Sequence, residues 1–224
     1  EVIGDLSLHL TNSGRTAEVG YSLDRAHWGQ GFALEALEAL IAWALDALPI
    51  SRVAGMLHPD NRASALLLER AGLVFEGHTR LSYWLNDENS DDLIYGMTRS
   101  QWAQWRDRPR SAPDEVRLVP VTALNSEAVL ALRTHHSQET FVAPVLRSFA
   151  DALIPDVTDG VPAEPWLRMI EADGEPTGFL MLALATPAQP EPLLWRLLVD
   201  RRHQRRGVAS RALDLLEDEC QEMG

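Results

Sequence analysis

An internal repeat limits what this chain can fold into more than any other feature of its sequence. Shifting the sequence by 176 positions aligns residues 24–40 with 200–216 without a gap, and the two segments share Asp-Arg, His, Gly, Ala, Ala-Leu and Leu in order. At an offset of 174, the strand-like segment 3–8 aligns with 177–182. Because a period near 176 residues is the length of one domain, the sequence predicts two tandem copies of that domain.

The 224 residues hold little more than one period, so we expect each copy to be incomplete. Residues 1–106 are interpreted as the C-terminal part of a first domain and residues 115–224 as the N-terminal part of a second. Residues 107–114, with two prolines and mixed charge, are predicted to be an exposed linker. We expect residues outside this sequence to complete both domains; the alternative is that the halves complement one another by pairing edge strands near 52–58 and 194–199.

Composition excludes several classes of function. The net charge of −13 argues against nucleic-acid and anionic-membrane partners. All 20 basic residues are arginine, which excludes a lysine Schiff base and a lysine-containing nucleotide loop. A single cysteine, Cys220, excludes an internal disulfide framework, and the adjacent His135 and His136 point apart, so no metal site is predicted. No leader or membrane-spanning pattern is present, and a cytoplasmic protein is expected.

Hydrophobic periodicity predicts a mixed α/β fold. Copy one combines short strands with two helices, one of which places an apolar stripe from Leu34 to Leu48 on one face, while the other ends at Gly72. In copy two the segment EVRLVPV and the sequence around an ADGE turn are typical of strands. Helical segments are expected within 125–153 and 162–171.

Both copies carry a glycine-containing loop that leads directly into a helix: WGQGFA in copy one and QRRGVA in copy two. Such a loop directs unpaired backbone N–H groups and the positive end of the helix dipole at one point, which is suited to a pyrophosphate. The predicted anion-binding residues are Trp28, Gly29, Gln30, Gly31, Phe32 and Ala33 in the first loop, and Gln204, Arg205, Arg206, Gly207, Val208 and Ala209 in the second. Packing is the alternative role for Trp28 and the expected role for Trp43.

The segment VDRRHQRRGVASRALDLLED resembles the acetyl-coenzyme A loop and helix of the GNAT acyltransferase superfamily, whose pattern is Q/R-x-x-G-x-G/A. Residues 1–106 resemble the RimJ/RimL-type ribosomal-protein N-terminal acetyltransferases through AEVGYSL, NRASALLLERAGLVFEG and DDLIYGMTRSQW. Residues 115–224 resemble the diamine (spermine/spermidine-type) acetyltransferases through QETFVAP and GEPTGFLML. The resemblance implies two tandem GNAT-like domains, each a mixed sheet with helices on both sides, that bind the pyrophosphate of acetyl-CoA.

Acetyl transfer to an amine needs a base and a proton donor for the leaving thiolate. Glu18 precedes the first loop, where some GNAT enzymes carry their base; the alternative is a solvent-facing strand residue. The resemblance implies that Asn61 contacts the pantetheine arm and that Ser64 lies near the thiol, while helix capping is the alternative for this Asn-x-x-Ser pair. Tyr83 and Tyr95 are expected to be packing residues.

Together these features predict an acetyl-CoA-dependent N-acetyltransferase that acts on a primary amine, either a small amine or polyamine or a protein N-terminus. The first alternative is a non-catalytic acyl-CoA sensor, and the second is a scaffold module that binds no cofactor. A homodimer is left open. Neither the acceptor nor the activity of each domain follows from the sequence.

Overall fold

The structure is a computed structural model that describes residues 1–85 and 88–223. The chain divides into two compact units, Glu1–Asp107 (unit 1) and Arg108–Gly224 (unit 2). Both units combine helices with β-sheet, which confirms the mixed α/β class. None of the helices in the described residues is both long and apolar enough to cross a bilayer.

Unit 1 is a five-stranded sheet with three helices. Its elements are β1 (Gly4–Thr11), β2 (Thr16–Leu23), α1 (Phe32–Ala47), β3 (Arg52–Leu57), α2 (Arg62–Arg70), β4 (Val74–Leu85), β5 (Glu88–Thr98) and α3 (Arg99–Arg106). The strand order is β1-β2-β3-β5-β4, in which β2 and β3 run parallel and the other neighbours are antiparallel. The parallel pair therefore occupies the centre of the sheet.

The apolar stripe of α1 forms much of the unit 1 core, as its 3.6-residue spacing predicts. Leu37, Ile41 and Ala44 are fully buried against the sheet. The helix α2 ends at Arg70 with Ala71 as its C-cap, and Gly72 then adopts a φ of +99°, which confirms it as the terminating residue. The helices of unit 1 therefore pack on one face of the sheet, so among its described residues the expected helices on both sides of this sheet are wrong.

Unit 2 is built on a four-stranded antiparallel sheet in the order β11-β10-β9-β6. Its elements are β6 (Val116–Pro120), α4 (Ser126–Ala131), α5 (Val145–Leu153), β7 (Val157–Thr158), β8 (Val161–Pro162), β9 (Glu164–Ala172), β10 (Glu175–Leu184), β11 (Leu193–Val199) and α6 (Val208–Met223). The helix expected within 162–171 is wrong. Residues 164–171 lie in β9, whose backbone is paired with β6 on one side and β10 on the other, and this pairing overrides local helix preference.

The internal repeat is visible in the backbone hydrogen bonds. The Asp24 N–H donates to the Ile3 carbonyl at 2.7 Å, and the Asp200 N–H donates to the Thr177 carbonyl at 2.8 Å. In register, Gly4 faces Leu23 and Gly178 faces Val199. Both offsets seen in the sequence, 174 and 176, therefore correspond to one hairpin that leads into one loop.

The complementation alternative predicts that residues 52–58 pair with residues 194–199, and this pairing does not occur. Strand β3 pairs with β2 and β5, so it is an interior strand, whereas β11 pairs with β10. The two strands belong to different sheets. Complementation through residues 52–58 and 194–199 within one chain is therefore wrong.

The predicted linker is held at its C-terminal end. Residues 107–114 are mostly exposed, but Pro113 is buried. The Arg206 Nε donates to the Ser111 carbonyl at 2.7 Å, and the Arg211 guanidinium donates to the Pro113 and Asp114 carbonyls. The end of this segment is thus attached to the start of α6, within unit 2.

Candidate active site

The first glycine loop has the backbone conformation that its sequence predicts. Gly29 has a φ of +74° and Gly31 a φ of +91°, the left-handed region that side chains rarely adopt. Gly31 is the N-cap of α1 and has no side chain to cap the helix. A Cβ built on either glycine would meet no atom within 4 Å. The glycines are therefore required by the backbone turn, and open space lies in front of them.

The loop presents unpaired donors to that space. Across the described ranges, no group accepts a hydrogen bond from the backbone N–H groups of residues 29–33, and the first helical bond is donated by the Leu34 N–H to the Gly31 carbonyl. These N–H groups lie at the positive end of the α1 dipole. The arrangement fits a bound pyrophosphate, as the sequence predicts.

Side chains around the loop play smaller parts. The indole of Trp28 is 59% exposed and donates from Nε1 to the Leu23 carbonyl at 2.8 Å, so a packing role is wrong for it. Trp43, 55% exposed, is not a core residue either. The Gln30 amide donates to the Ala26 carbonyl at 3.1 Å and closes the loop on itself, and Phe32 is partly exposed beside the His27 ring.

A cleft opens where the two parallel strands separate. Strands β2 and β3 are paired at only three positions, from Thr16–Arg52 to Glu18–Ala54. Beyond Glu18 the strands diverge, and a cleft of about 350 Å³ lies between them. Divergence leaves backbone groups of both strands without a sheet partner at this point, which allows an extended ligand to lie between the strands. The pairing geometry therefore creates a binding site at the centre of the sheet.

Glu18 lines this cleft at the last paired position. Its side chain is half-buried, and none of the described residues forms an ion pair or hydrogen bond with its carboxylate. A carboxylate in this setting accepts a proton without first breaking a salt bridge. Glu18 thus lies at a position where a general base can act, as predicted. The alternative, a strand residue whose side chain fully faces solvent, does not describe it.

Asn61 and Ser64 lie at the start of α2 and also line the cleft. The Asn61 Oδ1 accepts from the Ser64 N–H at 3.1 Å, so the capping role is confirmed. Capping uses one oxygen of Asn61 and leaves its amide N–H₂ for another partner. The two roles considered for this pair are therefore compatible.

Sequence reasoning missed Tyr21. Its ring packs against the core, and its hydroxyl reaches the Ser64 carbonyl at 3.4 Å while it lines the cleft. Burial raises the pKa of Tyr21, and the hydrogen bond to Ser64 opposes this shift. The phenol therefore stays protonated at neutral pH and is a second hydroxyl donor near Ser64. Its position two residues after a buried strand valine was the available signal.

The two tyrosines expected to pack differ. Tyr95 is buried in the unit 1 core, where its hydroxyl contacts Glu69, and the packing prediction is confirmed. Tyr83 is 54% exposed and lines the cleft, so packing is wrong for it. Its placement depends on an irregularity in β4 between Thr79 and Tyr83, which sequence alternation does not reveal.

The second loop has the same backbone plan. Arg205 and Gly207 have φ values of +62° and +79°, and α6 begins at Val208. No acceptor for the backbone N–H groups of residues 205–209 occurs in the described part of the chain. A cleft of about 390 Å³ lies beside the loop, and Ala209 and Arg205 are among the residues that line it. This loop also fits an anion at a helix N-terminus.

Two side chains of the second loop serve the protein itself. Gln204 exchanges hydrogen bonds with Gln138 at 2.9 and 3.2 Å and donates to the Val199 carbonyl. Arg206 is 6% exposed and turns inward to Ser111, Asp173 and His203. The prediction that Arg206 binds the anion is therefore wrong for its side chain, because the guanidinium is held by Ser111, Asp173 and His203 instead.

Buried ionisable groups support the second loop. The Asp200 carboxylate accepts from the backbone N–H groups of Arg133 and Arg202, both at 3.0 Å. His203 follows, and its Nδ1 lies 3.0 Å from the Arg206 guanidinium. Burial lowers the pKa of His203. A neutral imidazole accepts the arginine N–H, so this network requires His203 to be uncharged.

Comparisons with known proteins agree with this geometry. The family model described as "Acetyltransferase (GNAT) domain" matches residues 1–74, and the one described as "Acetyltransferase (GNAT) family" matches residues 130–224. The two matches lie in different units and name the same family.

Several curated relatives of the chain are also named as acetyltransferases. The uncharacterized N-acetyltransferase p20 of Bacillus licheniformis is 39% identical over 105 residues, which cover 46% of this chain and 58% of p20. The uncharacterized N-acetyltransferase YoaA of Bacillus subtilis (strain 168) is 33% identical over 100 residues, which cover 44% and 56%. The ribosomal-protein-serine acetyltransferase of Escherichia coli (strain K12) is 34% identical over 96 residues, which cover 42% and 54%.

The chain spans about half the length of these curated relatives. The family models nevertheless match both units, and each match includes a glycine loop followed by a helix. The chain therefore belongs to the GNAT acetyltransferase family.

Proposed function

We propose that this chain belongs to an acetyl-CoA-dependent N-acetyltransferase that transfers an acetyl group to a primary amine. The observation that carries the proposal is the parallel pair of β2 and β3, which separates after three positions beside a loop of free N–H donors. The carboxylate of Glu18 and the hydroxyl groups of Ser64 and Tyr21 are among the groups that line the resulting cleft. These are the groups that acyl transfer from a thioester to an amine requires.

In this proposal, the backbone N–H groups of residues 29–33 hold the pyrophosphate, and Asn61 donates its amide to the pantetheine arm. When bound, acetyl-CoA supplies the acyl group as a thioester. Glu18 accepts the proton that the attacking ammonium must lose before a C–N bond can form. The Ser64 hydroxyl donates the proton that the sulfur takes up when the C–S bond breaks and regains a proton from solvent, while the Tyr21 hydroxyl bonds to the Ser64 backbone carbonyl. The base and the donor thus lie in one cleft.

We propose the corresponding domain assignment as well. Unit 1 corresponds to the C-terminal part of one GNAT domain, and unit 2 to the N-terminal part of a second. The loop at residues 205–209 binds acyl-CoA in the second domain. The acidic composition and the single Cys220 support a cytoplasmic enzyme that acts on small or peptide amines rather than on nucleic acid.

The test is acetyl-CoA turnover by the full chain over a panel of amines, with Glu18→Gln as the variant. Loss of a general base is expected to lower turnover about 100-fold, while CoA affinity changes little. Glu38→Gln is the matched control, because Glu38 is a half-buried glutamate of α1 that does not line the cleft. A Glu18→Gln rate within threefold of the parent at every pH would contradict the assignment of the base.

The alternative of a non-catalytic sensor gives a different result in the same experiment. It binds CoA by calorimetry and releases no thiol with any amine. If the chain does not bind CoA at all, the result supports the scaffold alternative.

A further inference from the structure

The sheet face opposite α1 and α2 is continuous with the cleft, and strand register defines which side chains share it. Residues paired across strands point to the same face, as do residues two apart along one strand. Glu18 pairs with Ala54, and Met56 follows two residues later. Val53 and Leu57, which alternate with these, are buried in the core. Glu18 and Met56 therefore lie on the face that the two helices do not cover.

The same face continues across the next two strands. Met56 pairs with Ile94, and Asp92 and Ser90 follow at two-residue steps along β5. Ser90 pairs with Tyr83 of β4. Asp92, Ser90 and Tyr83 all line the same cleft as Glu18. The cleft thus runs from the candidate base to a second carboxylate beside an aromatic ring.

Asp92 is a buried carboxylate that forms no ion pair with any of the described residues, and the imidazole of the cleft, His58, lies 3.7 Å from the carboxylate of Asp60 instead. Asp92 is 9% exposed, and its Oδ2 accepts from the Ser82 hydroxyl at 3.3 Å. Among the described residues, none donates to Oδ1 and no arginine lines the cleft. Burial of an ionised carboxylate without a cationic partner is costly, so a cation that enters the cleft gains from pairing with it.

Tyr83 owes its position beside Asp92 to a bulge. From Thr79 to Tyr83, β4 advances four residues while β5 advances two, and Leu81 within the bulge has a φ of +50°. The neighbouring Asp91 holds the bulge, because its carboxylate accepts from the Leu81 N–H and contacts His78, both at 2.8 Å. The exposed tyrosine ring therefore lines the same cleft as the buried carboxylate, and the two groups together suit an ammonium group.

The two carboxylates are too far apart to hold one cation. Glu18 is level with Ala54, and Asp92 lies one position beyond Leu93, the partner of Leu57. These positions differ by four residue steps, or about 13 Å along the strands. An ammonium contacts a carboxylate at about 3 Å, so it reaches one group or the other.

We propose that this cleft selects amine acceptors that carry a second positive charge, which Asp92 and Tyr83 bind while the reacting amine lies at Glu18. This proposal rests on the acetyltransferase function proposed above and names its substrate class: an extended cation with its charges about 13 Å apart. Asp92 is thus a specificity residue and takes no part in proton transfer. A linear polyamine and a basic peptide both supply this chemistry.

The test compares acceptors of matched length on the full chain: a linear aliphatic triamine, a monoamine of the same length, and two peptides that differ by arginine or glutamine after an N-terminal serine. With Asp92→Asn, the KM of the doubly charged acceptors should rise about tenfold or more, while kcat and the monoamine KM stay near the parent values. Asp46→Asn is the matched control, since Asp46 is exposed on α1 outside the cleft. Tyr83→Leu should raise the same KM values to a smaller extent.

A binding measurement separates this proposal from the function on which it rests. Calorimetry of the triamine against the chain without acetyl-CoA should show binding that Asp92→Asn weakens and Asp46→Asn does not. If no amine is acetylated but this binding is found, the enzyme assignment fails and the cation site stands. If amines are acetylated without preference for a second charge, or if Asp92→Asn changes all acceptors equally, the cation site is overturned. The acceptor with the lower KM, the triamine or the arginine peptide, identifies which of the two supplies the second positive charge.

Discussion

Replacement of Gly31 by valine tests the role of the first loop. Gly31 has φ +91° and ψ −13°, and a built Cβ meets no atom within 4 Å. The cost of the substitution in the folded protein is therefore backbone strain without steric overlap. A residue held in such a conformation is strained by about 1–3 kcal/mol, and a β-branched residue is among the least tolerant. We expect the free energy of unfolding to fall by this amount.

The same strain weakens ligand binding. Without ligand, the loop of Gly31→Val relaxes toward a negative φ, and binding must restore the conformation that aligns the N–H groups of residues 29–33. CoA affinity at this loop should then fall by up to the strain, about 1–3 kcal/mol or roughly 5- to 150-fold. Gly77→Val is the control: its Cβ also meets open space, its φ is not positive, and valine is favoured in a strand.

Urea denaturation measures the change in stability, and calorimetric titration with CoA measures the affinity and number of sites. The loop at Gly207 has a φ of +79° and should respond to Gly207→Val in the same way. Each variant should weaken one site and spare the other. Unchanged affinity in both variants, with the expected loss of stability, would refute the assignment of these loops to the anion.

Three further outcomes are expected. Gly72→Ala should destabilise the chain more than Gly31→Ala in urea, because its Cβ would lie 2.5 Å from the Trp105 ring in addition to the strain of φ +99°; equal losses would contradict this. Asn61→Ala should cost about 1 kcal/mol of stability through loss of the α2 cap, and an unchanged urea midpoint would speak against it. Burial lowers the folded pKa of His203 below its unfolded value near 6.5, so the unfolded state protonates first as pH falls. Stability should therefore decline as pH drops below about 6.5 and level off below the folded pKa, and His203→Gln should reduce this slope.

Features that depend on local chemistry could be predicted from the sequence. The conformation of Gly31 follows from a glycine before an amphipathic helix, and the cap at Asn61 follows from an asparagine three residues before a serine. Gly72 ends α2 because only glycine tolerates φ +99° there without strain. Each of these needs only a few neighbouring residues, so a short sequence window contains the necessary information.

Features that depend on long-range register could not be predicted. Tyr83 enters the cleft only because β4 carries a bulge opposite Asp91, and Asp92 shares a face with Glu18 only through the pairing of three strands. Arg206 appeared to be an anion ligand because it lies in the loop. Its actual partners, such as Ser111, are up to 95 positions away in the sequence. Contacts of this kind are set by packing, which periodicity does not encode.

The two glycine loops have similar backbone conformations, but they differ in the side-chain hydrogen bonds that hold them. In unit 2, the buried Asp200 accepts two backbone N–H groups, and His203 accepts from Arg206. In unit 1, Asp24 is largely exposed and accepts from one backbone N–H, and the buried Nδ1 of His27 has no hydrogen-bond partner in the described residues. A loop that is already ordered loses less conformational entropy when it binds a ligand. Both copies therefore present the loop N–H groups that the proposed anion sites require, and in the described residues the second loop is held by more side-chain hydrogen bonds than the first.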